Sequence, residues 1–184
     1  MVVAEFLEWT PDDPSVHAWQ LIDGEPVAMA PASDAHGTLQ AALAARLWAH
    51  LNPRGGRCRV VANPGIVPRG LSDRNFRIPD LGVTCAPPST GIVMPEPLLL
   101  IEILSPSNET ETWSNVWTYL SIPSVAEVLV IDSTRVAAEL LRRRPDQSWP
   151  DSPDRIGADD TLELTSIGFG VPLRVLYENT TLRC

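Results

Sequence analysis

Two patterns of apolar residues predict the main helix and the central strand of this chain. Leucine occurs at every fourth position from 39 to 51, which places these side chains on one face of a helix over about residues 33–51. Ser33 can cap the start of this helix, and the sequence N-P-R-G-G at 52–56 ends it. By contrast, residues 98–104 are apolar at nearly every position, which is typical of a strand covered on both faces.

Turn and cap signals predict the neighbouring elements. Asp23 and Gly24 tolerate the positive φ of a two-residue turn, so we expect a hairpin there. Asn108 and Glu111 have the spacing of a capping box for a second helix over about 109–121. Residues 1–14 are predicted to form an irregular N-terminal arm. The remaining predicted strands lie at about residues 16–22, 27–29, 58–62, 65–68, 79–85, 125–131, 136–141, 161–164 and 168–175.

Composition fits one globular domain with a substantial core. The 184 residues are 44% hydrophobic and carry a formal net charge of −9. No apolar run approaches the roughly 20 residues of a membrane span, and the acidic first residues differ from a secretory signal, so we expect a cytoplasmic protein without membrane contact. Cys58, Cys85 and Cys184 lack paired C-x-x-C spacing, so we expect no zinc site, two buried thiols and one thiol on the tail.

Two carboxylates provide the candidate chemistry. Asp80 lies at the head of a predicted strand, and Glu102 lies inside the apolar strand 98–104. An ionised carboxylate among leucine and isoleucine is costly to bury unless a cation or a donor receives it. Two acids on adjacent strands can hold a hard divalent cation such as Mg²⁺. The sequence therefore predicts a metal site formed by Asp80 and Glu102.

The basic residues limit the roles that can be assigned. All 14 are arginine, so lysine cannot be a catalytic residue here. The run 142–144 is interpreted as a solvated strand end rather than a phosphate contact, because the chain is acidic overall. His36 and Gln40 lie one turn apart near the start of the first helix, and a solvated first turn is the favoured interpretation of this pair. On the second helix, Asn115 shares a stripe with Glu111 and Tyr119 that could face the acids.

The order of several segments resembles the Uma-type restriction endonuclease family of the PD-(D/E)XK nuclease superfamily. These segments are H-A-W-Q-L-I-D-G-E-P-V-A-M-A-P-A-S, R-I-P-D-L-G-V, L-L-L-I-E-I-L-S-P-S-N and Y-L-S-I-P-S-V-A-E-V-L-V-I-D. The likeness covers most of the chain. It implies a single restriction-endonuclease-like domain, with a mixed, strongly curved β-sheet flanked by two main helices at about 33–51 and 109–121. It also implies a protein that often forms dimers.

The resemblance implies specific roles for the two acids. In the superfamily, an Asp and a Glu hold one or two divalent metals that polarise a phosphodiester and activate a water, while a lysine assists. Asp80 and Glu102 match those acids, so the resemblance implies Mg²⁺ or Mn²⁺ as cofactor. Nucleic acid is the implied partner, and DNA is favoured over RNA.

Two positions depart from the family pattern. The superfamily lysine lies two residues after the Glu, where this chain has Leu104; in the Uma-type family it lies on the following helix, and that position is Asn115. An amide can bond a water or a phosphate but cannot act as a general base. We therefore expect weak cleavage and a gain from Asn115→Lys. The family's N-terminal acid is replaced by Gln20.

Three hypotheses stay open from the sequence. In the first, the protein is a metal-dependent endonuclease in which His36 or Gln20 orients a water and Asn115 positions a phosphate. In the second, it is a catalytically inactive nuclease fold that serves as a binding or structural module. In the third, Glu102 only accepts hydrogen bonds from the backbone or from Tyr119. The missing lysine favours the second hypothesis, and the retained acids favour the first.

Overall fold

A computed structural model of the chain describes residues 1–11, 18–54, 57–70, 72–106 and 108–183. Six strands in these ranges form one open mixed sheet in the order β3-β4-β5-β6-β7-β8. They are β3 (Arg59–Ala62), β4 (Leu81–Thr84), β5 (Pro97–Leu104), β6 (Glu127–Asp132), β7 (Ala138–Arg142) and β8 (Asp154–Ile156). Two antiparallel hairpins accompany the sheet, namely β1 (Trp19–Ile22) with β2 (Glu25–Ala28), and β9 (Thr161–Leu164) with β10 (Phe169–Pro172).

Helices cover both faces of the central strand β5. On one face, the helix α2 (Asp34–Leu51) buries its four leucines against alternate residues of β5, including Ile101 and Ile103. On the other face, the helix α3 (Glu109–Tyr119) packs Val116 against a second cluster that contains Leu100. The predicted mixed sheet between two main helices is therefore confirmed. Its energetic basis is the removal of these aliphatic side chains from water on both faces of one strand.

The centre of the sheet has the connection that brings helix α3 next to the strand ends. Strands β5 and β6 are parallel, whereas the other described pairs in the sheet are antiparallel. A parallel pair requires a crossover, and α3 provides it. In such a unit the helix begins just beyond the carboxyl end of the first strand. Polar residues after β5, after β6 and at the start of α3 are thereby brought together.

The local signals at the hairpin and at α2 are confirmed. Asp23 and Gly24 have φ values of 51° and 92°, as a primed turn requires. The Ser33 hydroxyl accepts a hydrogen bond from the backbone N–H of His36 at 3.3 Å and caps α2. A short 3-10 turn, Asn52–Arg54, follows α2. Both predictions depended on short-range geometry, which explains why the sequence sufficed.

The predicted capping box of α3 is wrong. The Asn108 carboxamide oxygen accepts from the backbone N–H of Ser105 at 2.7 Å, and the Glu111 carboxylate accepts from Gln20, so neither side chain closes the box. The helix ends at Tyr119, two residues earlier than predicted. Tertiary partners therefore replace the local cap. Trp117, in the last turn of this helix, is half exposed.

The first residues form a helix rather than the predicted irregular arm. This helix, α1 (Val3–Glu8), buries Phe6 against Phe76 with a ring-centroid separation of 5.6 Å. The aromatic contact compensates for a segment too short to be helical by itself. Part of the predicted arm and of the first predicted strand, at residues 12–17, lies outside the described residues, as do positions 55, 56, 71, 107 and 184.

Two of the three cysteines differ from the prediction. Cys58 and Cys85, which were expected as buried thiols, form a disulfide between the ends of β3 and β4. The antiparallel register pairs Arg59 with Thr84, so Cys58 and Cys85 occupy the next pair of opposed positions. This cross-strand proximity is set by sheet pairing and has no short sequence signature. Cys184 lies outside the described residues.

The arginines at 142–144 have structural partners. Arg142 pairs with Glu127 at 2.7 Å, and Arg143 donates to the backbone carbonyls of Ile122 and Val125 at 2.8 Å each. Arg143 also lies over the ring of Trp149. The side chains therefore stabilise the end of the α3–β6 connection.

Within the described residues, no helix combines the length and the apolar character needed to cross a membrane.

Candidate active-site cleft

A cleft of about 910 Å³ opens where the first turns of α2 and α3 meet the carboxyl ends of β5 and β6. Residues that follow β5 and β6, including Ser105 and Ser133, line it. The structure brings all five side chains predicted for the site to this cleft. They are Gln20, His36, Asp80, Glu102 and Asn115.

The sheet register determines how close the two acids lie. Leu81 pairs with Ile101 in the antiparallel ladder, so Asp80 and Glu102 occupy the next pair of opposed positions. The Asp80 Oδ2 atom accepts a hydrogen bond of 2.7 Å from the backbone N–H of Ile103. This bond anchors Asp80 to β5, the strand that carries Glu102. The two carboxylates are thus held together by backbone structure rather than by flexible loops.

Glu102 is buried with two donors on one oxygen. Glu102 is only 6% exposed. Its Oε1 atom accepts hydrogen bonds from the Tyr119 hydroxyl at 2.7 Å and from Asn115 Nδ2 at 3.3 Å. Burial, together with repulsion from Asp80, raises the pKa of Glu102 to about 8, although the two hydrogen bonds oppose the rise. The two acids therefore repel each other when both are ionised, and Glu102 mainly keeps its proton at neutral pH.

His36 is part of the site, and the predicted solvated first turn is wrong for this residue. His36 is only 8% exposed, and its Nε2 lies 3.2 Å from Asp80 Oδ2. Its Nδ1 is buried and has no hydrogen-bond partner among the described residues. Gln40, one turn later, donates to the backbone carbonyl of Asp80 at 2.8 Å. The first turns of α2 therefore fix the position of Asp80.

Gln20 connects the first hairpin to α3 and to the segment before Asp80. Its Oε1 accepts from the backbone N–H of Ile78 at 3.0 Å, and its Nε2 donates to Glu111 Oε1 at 2.7 Å. Glu111 thereby places a carboxylate at the cleft wall. Sequence reasoning assigned Glu111 to the helix cap and missed this role. Its only signal was the i, i+4 spacing with Asn115.

Arg77 lies behind Asn115 and was also missed. It is 3% exposed, and its Nη1 donates to Asn115 Oδ1 at 3.0 Å. Burial lowers the pKa of Arg77, while the negative charges of nearby acids act in the opposite direction. A signal was present in the sequence, since Arg77 begins the R-I-P-D segment that contains Asp80. An arginine next to an apolar strand resembles an ordinary strand end, so this signal was not specific.

The described lining of the cleft is acidic. It contains the carboxylates of Asp80, Glu102 and Glu111, the imidazole of His36, and no arginine. The negative potential of such a cleft attracts cations and opposes the approach of a phosphate. A bound divalent cation would reverse this local charge. The negative charge of the cleft therefore favours binding of a cation first, followed by an anionic substrate.

Comparison with known proteins identifies relatives by sequence and by structure. A family model described as "Uma2: Putative restriction endonuclease" matches residues 3–174. A crystal structure titled as a putative nuclease belonging to DUF820 from Anabaena variabilis superposes with a TM-score of 0.76 at 17% identity, covering 97% of this chain and 98% of that chain. At that identity the likeness concerns the fold. Curated proteins gave no match.

Proposed function

The chain belongs to the Uma2 restriction endonuclease family, and from this premise we propose that it is a divalent-metal-dependent endonuclease that hydrolyses phosphodiester bonds in DNA. The observation that carries the proposal is the juxtaposition of two buried carboxylates, Asp80 and Glu102, in one cleft of the restriction-endonuclease-like fold. We also propose that the protein forms the dimer that is frequent in its family.

The donor set fits Mg²⁺ or Mn²⁺. Both ions prefer oxygen ligands, and Mg²⁺ is often bound by one or two carboxylates while water and substrate phosphate complete the shell. Among the described residues, no three His, Cys, Asp or Glu side chains group into a metal site, so the two carboxylates would be the protein's share. Their mutual repulsion is the feature that a cation would relieve. When bound, such an ion polarises a phosphodiester and acidifies a water.

The protein's own groups preorganise these two ligands. The backbone N–H of Ile103 and the imidazole of His36 hold Asp80 Oδ2, whereas Tyr119 and Asn115 hold Glu102 Oε1. The backbone N–H of Asp80 also donates to the Glu102 carboxylate, so both ligands are oriented by the protein itself. Asn115 has a second N–H that can donate to a water or a phosphate oxygen in the cleft.

The missing lysine and the acidic lining favour a second candidate function. The chain has no lysine, and the described lining of the cleft contains no arginine that could touch a phosphate directly. A nuclease fold that binds a metal without efficient cleavage, and serves as a binding module, is consistent with this lining. The two candidates differ in catalysis rather than in metal binding.

A cleavage assay separates the two candidates. Purified protein is incubated with supercoiled plasmid, single-stranded DNA and single-stranded RNA of matched sequence, in Mg²⁺, in Mn²⁺ and in EDTA. Slow metal-dependent nicking of DNA that Glu102→Gln and Asp80→Asn abolish is the expected result. The exposed acid Glu163, changed to Gln, is the control that should retain activity. Metal binding with no cleavage of any substrate would favour the binding module, and no metal binding would refute both candidates.

A further inference from the structure

We propose that Arg77 is the positioning residue that supplies the positive charge of this site, in place of the lysine that the chain lacks. Its guanidinium fixes the amide of Asn115, and that amide in turn fixes Glu102. The inference deepens the proposed nuclease function and rests on it for its catalytic meaning. The structural part of the inference does not depend on a metal. It states that the charge at position 77 determines whether position 115 can hold a charged residue.

The chemistry of the three groups determines how the Asn115 amide is oriented. Arg77 Nη1 lies 3.0 Å from Asn115 Oδ1, and Asn115 Nδ2 lies 3.3 Å from Glu102 Oε1. A guanidinium can only donate hydrogen bonds. Glu102 Oε1 already accepts from the Tyr119 hydroxyl, so it faces Asn115 as an acceptor. The amide therefore has to present its oxygen to Arg77 and its nitrogen to Glu102. A rotated amide would place two donors together on one side and two acceptors together on the other.

The burial of Arg77 has no direct ionic compensation within the described residues. Its second contact, Nη2 to Asn75 Oδ1 at 3.0 Å, again goes to an amide. Asn75 Nδ2 then donates to Asp23 Oδ1 at 3.0 Å, at the turn of the first hairpin. The cation thus has an asparagine on each side and a carboxylate beyond each asparagine. A buried charge is costly without compensation. The hydrogen bonds to Asp23 and Glu102 polarise the two amides, and the polarised amides stabilise the guanidinium of Arg77.

This arrangement changes what a lysine at position 115 would do. An ammonium at the end of that side chain would share a buried space with the guanidinium of Arg77, and like charges at such distances repel strongly. The sequence alone suggested that Asn115→Lys restores the family site. On this proposal the positive charge of the site lies at position 77. A lysine at position 115 is therefore accommodated only when a neutral residue replaces Arg77.

The test measures this coupling in the metal-free protein. Denaturant unfolding in EDTA compares Asn115→Lys with Asn115→Met, which has a similar length and no charge, each with Arg77 and with Arg77→Gln. We expect the folding equilibrium constant of the lysine variant, relative to the methionine variant, to rise at least about tenfold when Arg77 becomes Gln. Arg143→Gln is the matched control, because Arg143 also holds the α3 connection but donates to backbone carbonyls. In that background the lysine-to-methionine ratio should stay unchanged.

A spectroscopic signature tests the positioning role directly. The side-chain amide signals of Asn115, assigned by their loss in Asn115→Asp, should be protected from exchange in wild type and in Arg77→Lys, and should lose protection in Arg77→Gln. An equal lysine-to-methionine ratio in both backgrounds, or unchanged amide signals in Arg77→Gln, would overturn the proposal. If Arg77→Gln alone does not fold, a folded Arg77→Gln/Asn115→Lys protein supports the proposal and an unfolded one refutes it. A failure of metal binding or cleavage would refute the proposed function without altering these results.

Discussion

The hydroxyl of Tyr119 donates a hydrogen bond of 2.7 Å to Oε1 of Glu102, and both side chains are buried between α3 and β5. Burial and the adjacent carboxylate raise the pKa of Tyr119 well above its ordinary value, so the phenol keeps its proton at physiological pH. Tyr119 therefore acts as a permanent donor to Glu102. The bond stabilises the ionised carboxylate and opposes the effects of burial and of Asp80.

Removal of this donor should destabilise the protein in a pH-dependent way. Tyr119→Phe leaves the ring in place and should cost about 1–3 kcal/mol, because a buried carboxylate loses a partner. The loss should be greater at pH 9 than at pH 6, since the bond is stronger to the ionised form of Glu102. Denaturant unfolding in EDTA measures it. Tyr177→Phe is the control, because that hydroxyl donates to backbone carbonyls of Asp132 and Ala137, and its cost should vary little with pH.

The raised pKa of Glu102 predicts the direction of the pH dependence of stability. The folded protein holds this proton up to about pH 8, whereas the unfolded chain releases it near 4.5. Between these values the folded state binds more protons, so the free energy of unfolding should fall as pH rises, by up to about 1.4 kcal/mol per pH unit. Unfolding of wild type and Glu102→Gln in EDTA from pH 5 to 8 tests this. Equal slopes for the two proteins would contradict the assignment.

Divalent metal should stabilise the folded protein through the two acids. A ligand that binds only the native state at 100 times its Kd contributes about 2.7 kcal/mol. We expect Mn²⁺ to raise the unfolding midpoint of wild type and to have little effect on Asp80→Asn or Glu102→Gln. Glu163→Gln should respond as wild type does. Anomalous density in Mn²⁺-soaked crystals should lie within coordination distance of both carboxylates. Stabilisation by Mn²⁺ without such a peak would show that the ion binds at another site.

The Cys58–Cys85 disulfide should contribute measurably to stability. It joins residues 27 apart in sequence, and closure of a loop of this size typically contributes about 2–4 kcal/mol. Cys58→Ala/Cys85→Ala should lower the free energy of unfolding by an amount in this range, and a reducing agent should have the same effect on wild type only. Mass spectrometry of peptides from the non-reduced protein tests the pairing. Free thiols at both positions would refute it.

Activity should depend on where the site's positive charge lies. Wild type is expected to cleave DNA slowly, Asn115→Lys is expected to give little gain, and Arg77→Gln/Asn115→Lys is expected to gain on the order of 100-fold from acid–base and electrostatic assistance. Plasmid nicking in Mn²⁺ provides the measurement, with Glu102→Gln added to the double variant as the inactive control. A large gain from Asn115→Lys alone would show that Arg77 does not oppose a lysine at that position.

Features that depend on neighbouring residues were predictable from the sequence. The leucine spacing and the Ser33 cap determined α2, and the positive-φ residues Asp23 and Gly24 determined the first hairpin turn. The apolar run of residues 98–104 indicated the central strand and, by contrast, its one acid. These signals follow from helix and strand periodicity and from turn sterics, which act over a few residues. The candidate acids could therefore be named before the fold was known.

The partners of these acids were decided only by the tertiary structure. Arg77 and Asn115 are 38 residues apart, and Gln20 and Glu111 are 91 apart, so no local pattern links them. Strand register and the β5–α3–β6 crossover bring these positions together, and burial then makes each hydrogen bond obligatory. The same packing made His36 a partner of Asp80 instead of a solvated residue. The sequence thus determined which groups could carry the chemistry, whereas the packing determined which of those groups contact each other at the wall of the cleft.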